Sequence, residues 1–114
     1  MKIIKIQRNN KTENIKAGEF YSINSKRAKG HKGEIAKVKK SGEIDAVIIT
    51  HSPYTRGRKN IKLFENPEQD KTENCYVLTK KETVKRKNIG KRHNNIKITN
   101  PLDKSIIRKI KSKK

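Results

Sequence analysis

The chain has 114 residues, with 31 Lys and Arg against 11 Asp and Glu, a formal net charge of +20 and only 30% hydrophobic residues. That length gives one small domain with little apolar material to spare, and a single cysteine, Cys75, excludes a disulfide framework. The longest apolar run, Ala46 to Ile49, is too short to span a membrane, and no wide-faced amphipathic helix or signal-peptide core is present, so the expectation is a cytoplasmic protein with no membrane partner that meets a polyanion.

Residues 1–14 read as an appended strand or loose arm, 15–111 as a single domain and 112–114 as a basic tail. Ala17-Gly18-Glu19 is a turn into a strand over Phe20 to Ile23, and Asn24 to Gly33 is a basic loop with two glycines, Gly30 and Gly33, able to open a backbone nest for phosphate. Glu34 to Lys39 and Glu43 to Thr50 flank Lys40-Ser41-Gly42 and predict a hairpin. Further strands are expected at Asn60 to Phe64 and Cys75 to Thr79, separated by the acidic loop Glu65 to Asn74. Phe20, Phe64 and Tyr76 are assigned to the core on strand pattern, and Cys75 is read as a buried small hydrophobe.

Lys80 to Asn95, the most basic segment, reads as a solvated loop, and Ile96 to Thr99 as a last strand. The C-terminus predicts a helix with Asn100 as cap, Pro101 in the first turn, Asp103 at the capping-box position and an apolar stripe of Leu102, Ile106 and Ile110. Short strands, strong turn residues and one terminal helix make the chain mainly β: a small antiparallel barrel or curled sheet of about five to seven strands, capped by that helix.

The densest chemistry lies in IITHSPYTRGRKNI, residues 48–61, where an apolar strand runs into Thr50, His51, Ser52, Tyr54, Thr55, Arg56 and Arg58. A phosphodiester needs cations to neutralise it, hydroxyls to orient it and an imidazole to move a proton near neutral pH, and this stretch carries all three. Tyr54, set among polar residues, is the candidate to stack on a base. Phosphate contacts are assigned to Lys29, Lys32, Ser52, Arg58, Lys85, Arg86, Lys87, Lys91 and Arg92. His31, His51 and His93 all have basic neighbours, and neither His-x-x-x-His nor Cys-x-x-Cys occurs, so no metal and no cofactor is expected.

Taken in order, Gly18-Glu19-Phe20-Tyr21-Ser22-Ile23, a basic Gly-containing loop, Ala46-Val47-Ile48-Ile49-Thr50 with an arginine soon after, Cys75 to Thr79 and the closing helix resemble the MazF/PemK-like toxins. The resemblance covers about residues 17–111 and implies an SH3-like barrel that acts as a metal-independent endoribonuclease. RNA is then the substrate, with an antitoxin and a second copy of the chain as protein partners. It carries a catalytic threonine onto Thr50. Where the family has arginine and proline after the first loop, this chain has His31-Lys32-Gly33, so Arg56 or Arg58 is the candidate guanidinium and His31 and His51 the candidate acid and base. The catalytic set is thus Thr50, His31, His51 and Arg56, with His93 outside it. Lys29-Gly30-His31-Lys32-Gly33-Glu34-Ile35 also resembles the KOW element of RNA-binding SH3-like barrels, which implies RNA binding without catalysis. A third alternative is a phage or plasmid inhibitor that uses its basic surface against a host protein.

Overall fold

The computed structural model describes residues 15–24, 30–69 and 71–113, so the expected N-terminal arm, residues 25–29 of the first loop, Lys29 included, and Lys114 of the tail lie outside the described residues. Among the described residues, nine strands and one α-helix follow in chain order: β1 Phe20–Ile23, β2 His31–Val38, β3 Glu43–Thr50, β4 Tyr54–Thr55, β5 Arg58–Lys59, β6 Ile61–Lys62, β7 Tyr76–Val77, β8 Glu82–Lys85, β9 Ile89–His93 and α1 Pro101–Ser112. The main antiparallel sheet runs β6-β7-β3-β2-β1-β9, with β8 also pairing β3, and it stays open. The fold is the curled sheet with a C-terminal helix rather than a closed barrel.

Strand β3 explains its own unbroken apolar run. Ile44, Ala46 and Ile48 point into one core with Tyr21, Ile23, Ile35 and Val84, while Val47 and Ile49 point into a second with Phe20, Val77, Ile107 and Ile110. A strand covered on both faces needs apolar side chains at successive positions, not alternate ones. The hairpin falls where the turn residues place it: Lys39 and Glu43 bond across the tip, and Glu34 faces Val47 across the ladder.

Several expectations are corrected. The first loop ends sooner than expected because His31 already opens β2, so Gly33 lies mid-strand and forms no phosphate nest with Gly30. A Cβ at Gly33 would stand 2.7 Å from Ile23 Cδ1 and 3.0 Å from the Val47 carbonyl, which makes that glycine a packing requirement. Lys80 to Asn95 is not a solvated loop. It forms β8, a 3-10 turn over Arg86–Asn88 and β9, because Val84 packs into the first core and Thr83 Oγ1 donates to Asp45 at 2.6 Å.

Only Ile61–Lys62 of the expected Asn60 to Phe64 strand pairs, and Phe64 is 66% exposed rather than core. Ile96 to Thr99 contributes one isolated bridge, Ile96 to Glu68.

Helix α1 begins as expected, with the Asn100 side chain accepting from the Leu102 and Asp103 amides. Its buried face is Asp103, Ile107 and Ile110, whereas Leu102 is 56% exposed and Ile106 only partly covered. Asp103 is drawn away from the capping box because its carboxylate accepts from the Phe64 and Glu65 amides, at 2.8 and 3.1 Å, and so ties the chain after β6 to the helix. Lys111 pairs with Glu34 on β2 at the other end of the helix. No helix of the described residues is long and apolar enough to cross a membrane.

Candidate nucleic-acid interface

Antiparallel pairing places the first residues of β2 beside the last of β3, since Lys32 faces Ile49 across the ladder. The chain just before β7 and the loop after β6 close the same corner. The result is a cleft of about 280 Å³ lined by Gly30, His31, Lys32, Ile49, Thr50, His51, Glu68 and Cys75. His31, Thr50 and His51, three of the four residues assigned to catalysis, are thus brought together with Lys32.

Thr50 is buried, and its Oγ1 accepts from the Ser52 amide at 3.2 Å, leaving its own hydroxyl hydrogen available to a ligand. The exposed His51 ring holds Nδ1 3.3 Å from the Asn74 carbonyl. A carbonyl only accepts, so Nδ1 carries the hydrogen and Nε2 of the neutral ring is left as the basic nitrogen. Burial, helped by the nearby Glu68 charge, pushes the Cys75 thiol up to about 11, so it remains a neutral wall of the cleft.

Glu68 was hidden in the acidic loop. It is 4% exposed, and its Oε1 accepts from Lys32 Nζ at 2.6 Å. Burial pushes its carboxyl up, but the Lys32 hydrogen bond and the charges of Lys32, Lys71 and His51 outweigh this and hold it below the usual carboxylate value. Beside this corner also lie Ser22, which the sequence did not single out, and His93, which was placed outside the catalytic set. Ser22, paired with Lys32 across the sheet, lies with Oγ 2.7 Å from His93 Nε2. Burial first, then the Lys32 and Lys91 charges, holds the His93 ring below its ordinary value, with Glu68 pulling the other way. Lys32 and Glu68 are 36 residues apart in the chain, and Ser22 and His93 are 71 apart. No local pattern signals such pairs.

The remaining candidates sit elsewhere. Arg56 and Arg58 line a separate cavity of about 90 Å³ with Thr55, Asn60 and Lys80, and are not among the residues lining the Thr50 cleft. The stretch carrying them is a two-stranded hairpin of β4 and β5, with Arg56 at φ 51° and Gly57 at φ 78°. These left-handed values suit the tight turn of a β-hairpin. Asn60 secures it, donating to the Ser52 carbonyl and to Thr55 Oγ1 at 3.0 and 2.8 Å.

Ser52 serves this turn too, its hydroxyl donating to the Tyr54 carbonyl at 2.7 Å, while Tyr54 itself is 59% exposed. Lys85 and Lys87 border a broad shallow depression with Lys80 and Lys81, where Glu43 and Glu82 also lie. Lys91 is exposed, Arg86 is half-buried, and Arg92 is tied to Glu19 at 2.8 Å. Among the described residues no group of three or more His, Cys, Asp or Glu is placed to hold a metal ion. Comparison with known proteins found no matching family model, no matching curated protein and no matching solved structure.

Proposed function

We propose that the chain binds single-stranded RNA and cleaves it by internal transesterification in the cleft at the open end of the β2–β3 hairpin. The observation that carries this reading is the convergence of His31, Thr50 and His51 with Lys32 in one cleft of a protein whose net charge is +20. Attack of an RNA 2′-hydroxyl on its own phosphate needs a base for the 2′-proton, an acid for the departing 5′-oxygen and donors for the phosphate oxygens.

His51 Nε2 takes the 2′-proton as the 2′-oxygen bonds to phosphorus. The P–O5′ bond breaks as protonated His31 gives its proton to the 5′-oxygen, leaving a 2′,3′-cyclic phosphate and a 5′-hydroxyl. The Thr50 hydroxyl donates to an equatorial oxygen of the phosphate. The toxin reading, with an antitoxin and a second copy of the chain as partners, is the biological setting that the MazF/PemK-like resemblance suggests for this chemistry.

Purified protein is expected to cut single-stranded RNA in EDTA. Thr50→Val and His51→Ala should each lower the single-turnover rate by roughly 10²–10⁴ while leaving RNA affinity within a few-fold, the mark of groups that act in the transition state. RNA that is bound but left intact overturns the cleavage reading in favour of RNA binding without catalysis, as the KOW-like stretch suggests.

A further inference from the structure

In a molecule with so large an excess of positive charge, a carboxylate buried in the candidate RNA cleft needs a reason. Glu68 is fixed there by its backbone: its amide donates to Asn66 Oδ1 at 2.9 Å, its carbonyl accepts from the Lys71 amide at 3.0 Å, and it forms the bridge to Ile96. Oε1 is taken by Lys32. Oε2 is shielded from solvent and receives no hydrogen bond among the described residues, with the Lys71 ammonium 3.8 Å away. Lys71 is itself half exposed and makes no hydrogen bond to Oε2, while Glu68 lines the cleft beside Lys32.

An ionised carboxylate only accepts hydrogen bonds, and it repels phosphate. The part of an RNA that suits it is a base edge bearing N–H donors, presented by an unpaired nucleotide. Guanine alone among the four bases sets two adjacent donors, N1–H and the N2 amino group, next to an acceptor, O6. The Lys32 ammonium, already bonded to Oε1, supplies the donor that O6 requires. The cleft volume admits a base, and Ile49 offers apolar surface to its face.

We propose that the Glu68–Lys32 pair reads guanine: Glu68 accepts from N1–H and the N2 amino group while Lys32 donates to O6, which seats an unpaired guanosine in the cleft. This rests on the RNA-binding reading above and adds base selectivity to it.

The test is fluorescence anisotropy at one fixed salt concentration, with short single-stranded oligonucleotides that differ only at one central base: guanine, inosine or adenine. Wild-type protein should prefer guanine to adenine by about tenfold or more, as expected of a good two-point base contact, and should lose part of that preference with inosine, which lacks the N2 amino group. Glu68→Gln should bring the guanine-to-adenine ratio close to one. Removing a negative charge tightens all RNA binding alike, so the ratio isolates base reading from electrostatics.

Equal wild-type affinity for all three oligonucleotides overturns the guanine site while RNA binding stands. Absence of binding to any of them overturns the RNA reading itself. An undiminished preference in a folded Glu68→Gln protein overturns the role of Glu68. The wild-type comparison of guanine with inosine needs no variant, so it decides the guanine site even if the substitution unfolds the chain.

Discussion

His93 and Glu68 are displaced from their ordinary proton affinities in the same direction, and both displacements tie stability to pH. The folded protein holds His93 below its ordinary value, so in the window below about pH 6.5 the unfolded chain binds a proton that the folded chain refuses. Stability therefore falls as pH drops through that window. The lowered Glu68 carboxyl adds a contribution that is present above its unfolded value and lost at lower pH, as pH falls through the folded one. Urea unfolding from about pH 8 down to about pH 3 should show stability that is level until about pH 6.5 and then falls, with His93→Gln flattening the slope just below about pH 6.5 and Glu68→Gln flattening it only below about pH 4.5. A slope near pH 6 that survives His93→Gln would assign the effect to another group. Neither residue was legible as a partner of this corner. His93 sits in a charge run whose only strand signals are Val84 and Ile89, and nothing local distinguishes Glu68 from Glu65 or Glu73.

The helix shows how a signal can be read correctly and its target missed. Asn100 and Pro101 announce the start of α1, but a carboxylate at Asp103 satisfies two amides equally well whether they belong to its own first turn or to a loop, and only the three-dimensional structure decides. It chose the Phe64 and Glu65 amides, and Ile107 rather than Leu102 is buried with Asp103 on the same helix. Asp103→Ala should cost about 2 to 4 kcal/mol in urea unfolding, since two charge-assisted bonds are lost and two amides are left poorly paired. Asp103→Asn, which keeps one acceptor, should cost less. A loss under about 0.5 kcal/mol for the alanine variant would mean that the loop finds water as readily as it finds the helix. The β2–β3 turn and the bounds of β3 were legible because turn residues and a doubly covered strand point to the same answer, whereas β2 opens at His31, three residues before the expected start. β8 and β9 were not, because their pairing with β3 and β1 is carried by backbone bonds and only a few apolar contacts.

Across the whole molecule, charge sets the terms of any encounter with RNA. Binding that engages about five phosphates should weaken roughly a hundredfold between about 50 and about 200 mM salt, because each contact releases counterions from the strand. A flat salt titration would count against RNA as the ligand. The basic surface is spread over β8, the 3-10 turn and β9, while the cleft lies where β2, β3 and the acidic loop meet. On the RNA-binding reading proposed above, affinity and selectivity fall to different surfaces, and substitutions of Lys85 or Lys87 should lower affinity for all sequences alike.

Strand β9 closes one rim of the sheet. Among the described residues it pairs with β1 alone, so its outer backbone groups are open to another strand. Lys91 is exposed on that strand, and its charge, with the net charge of +20, disfavours pairing of two such rims. The guard fails once a polyanion cancels it. Mixtures of protein and long RNA should then turn cloudy near charge equivalence and clear again when either component is in excess, so that colloidal behaviour is governed by mixing ratio rather than by concentration alone.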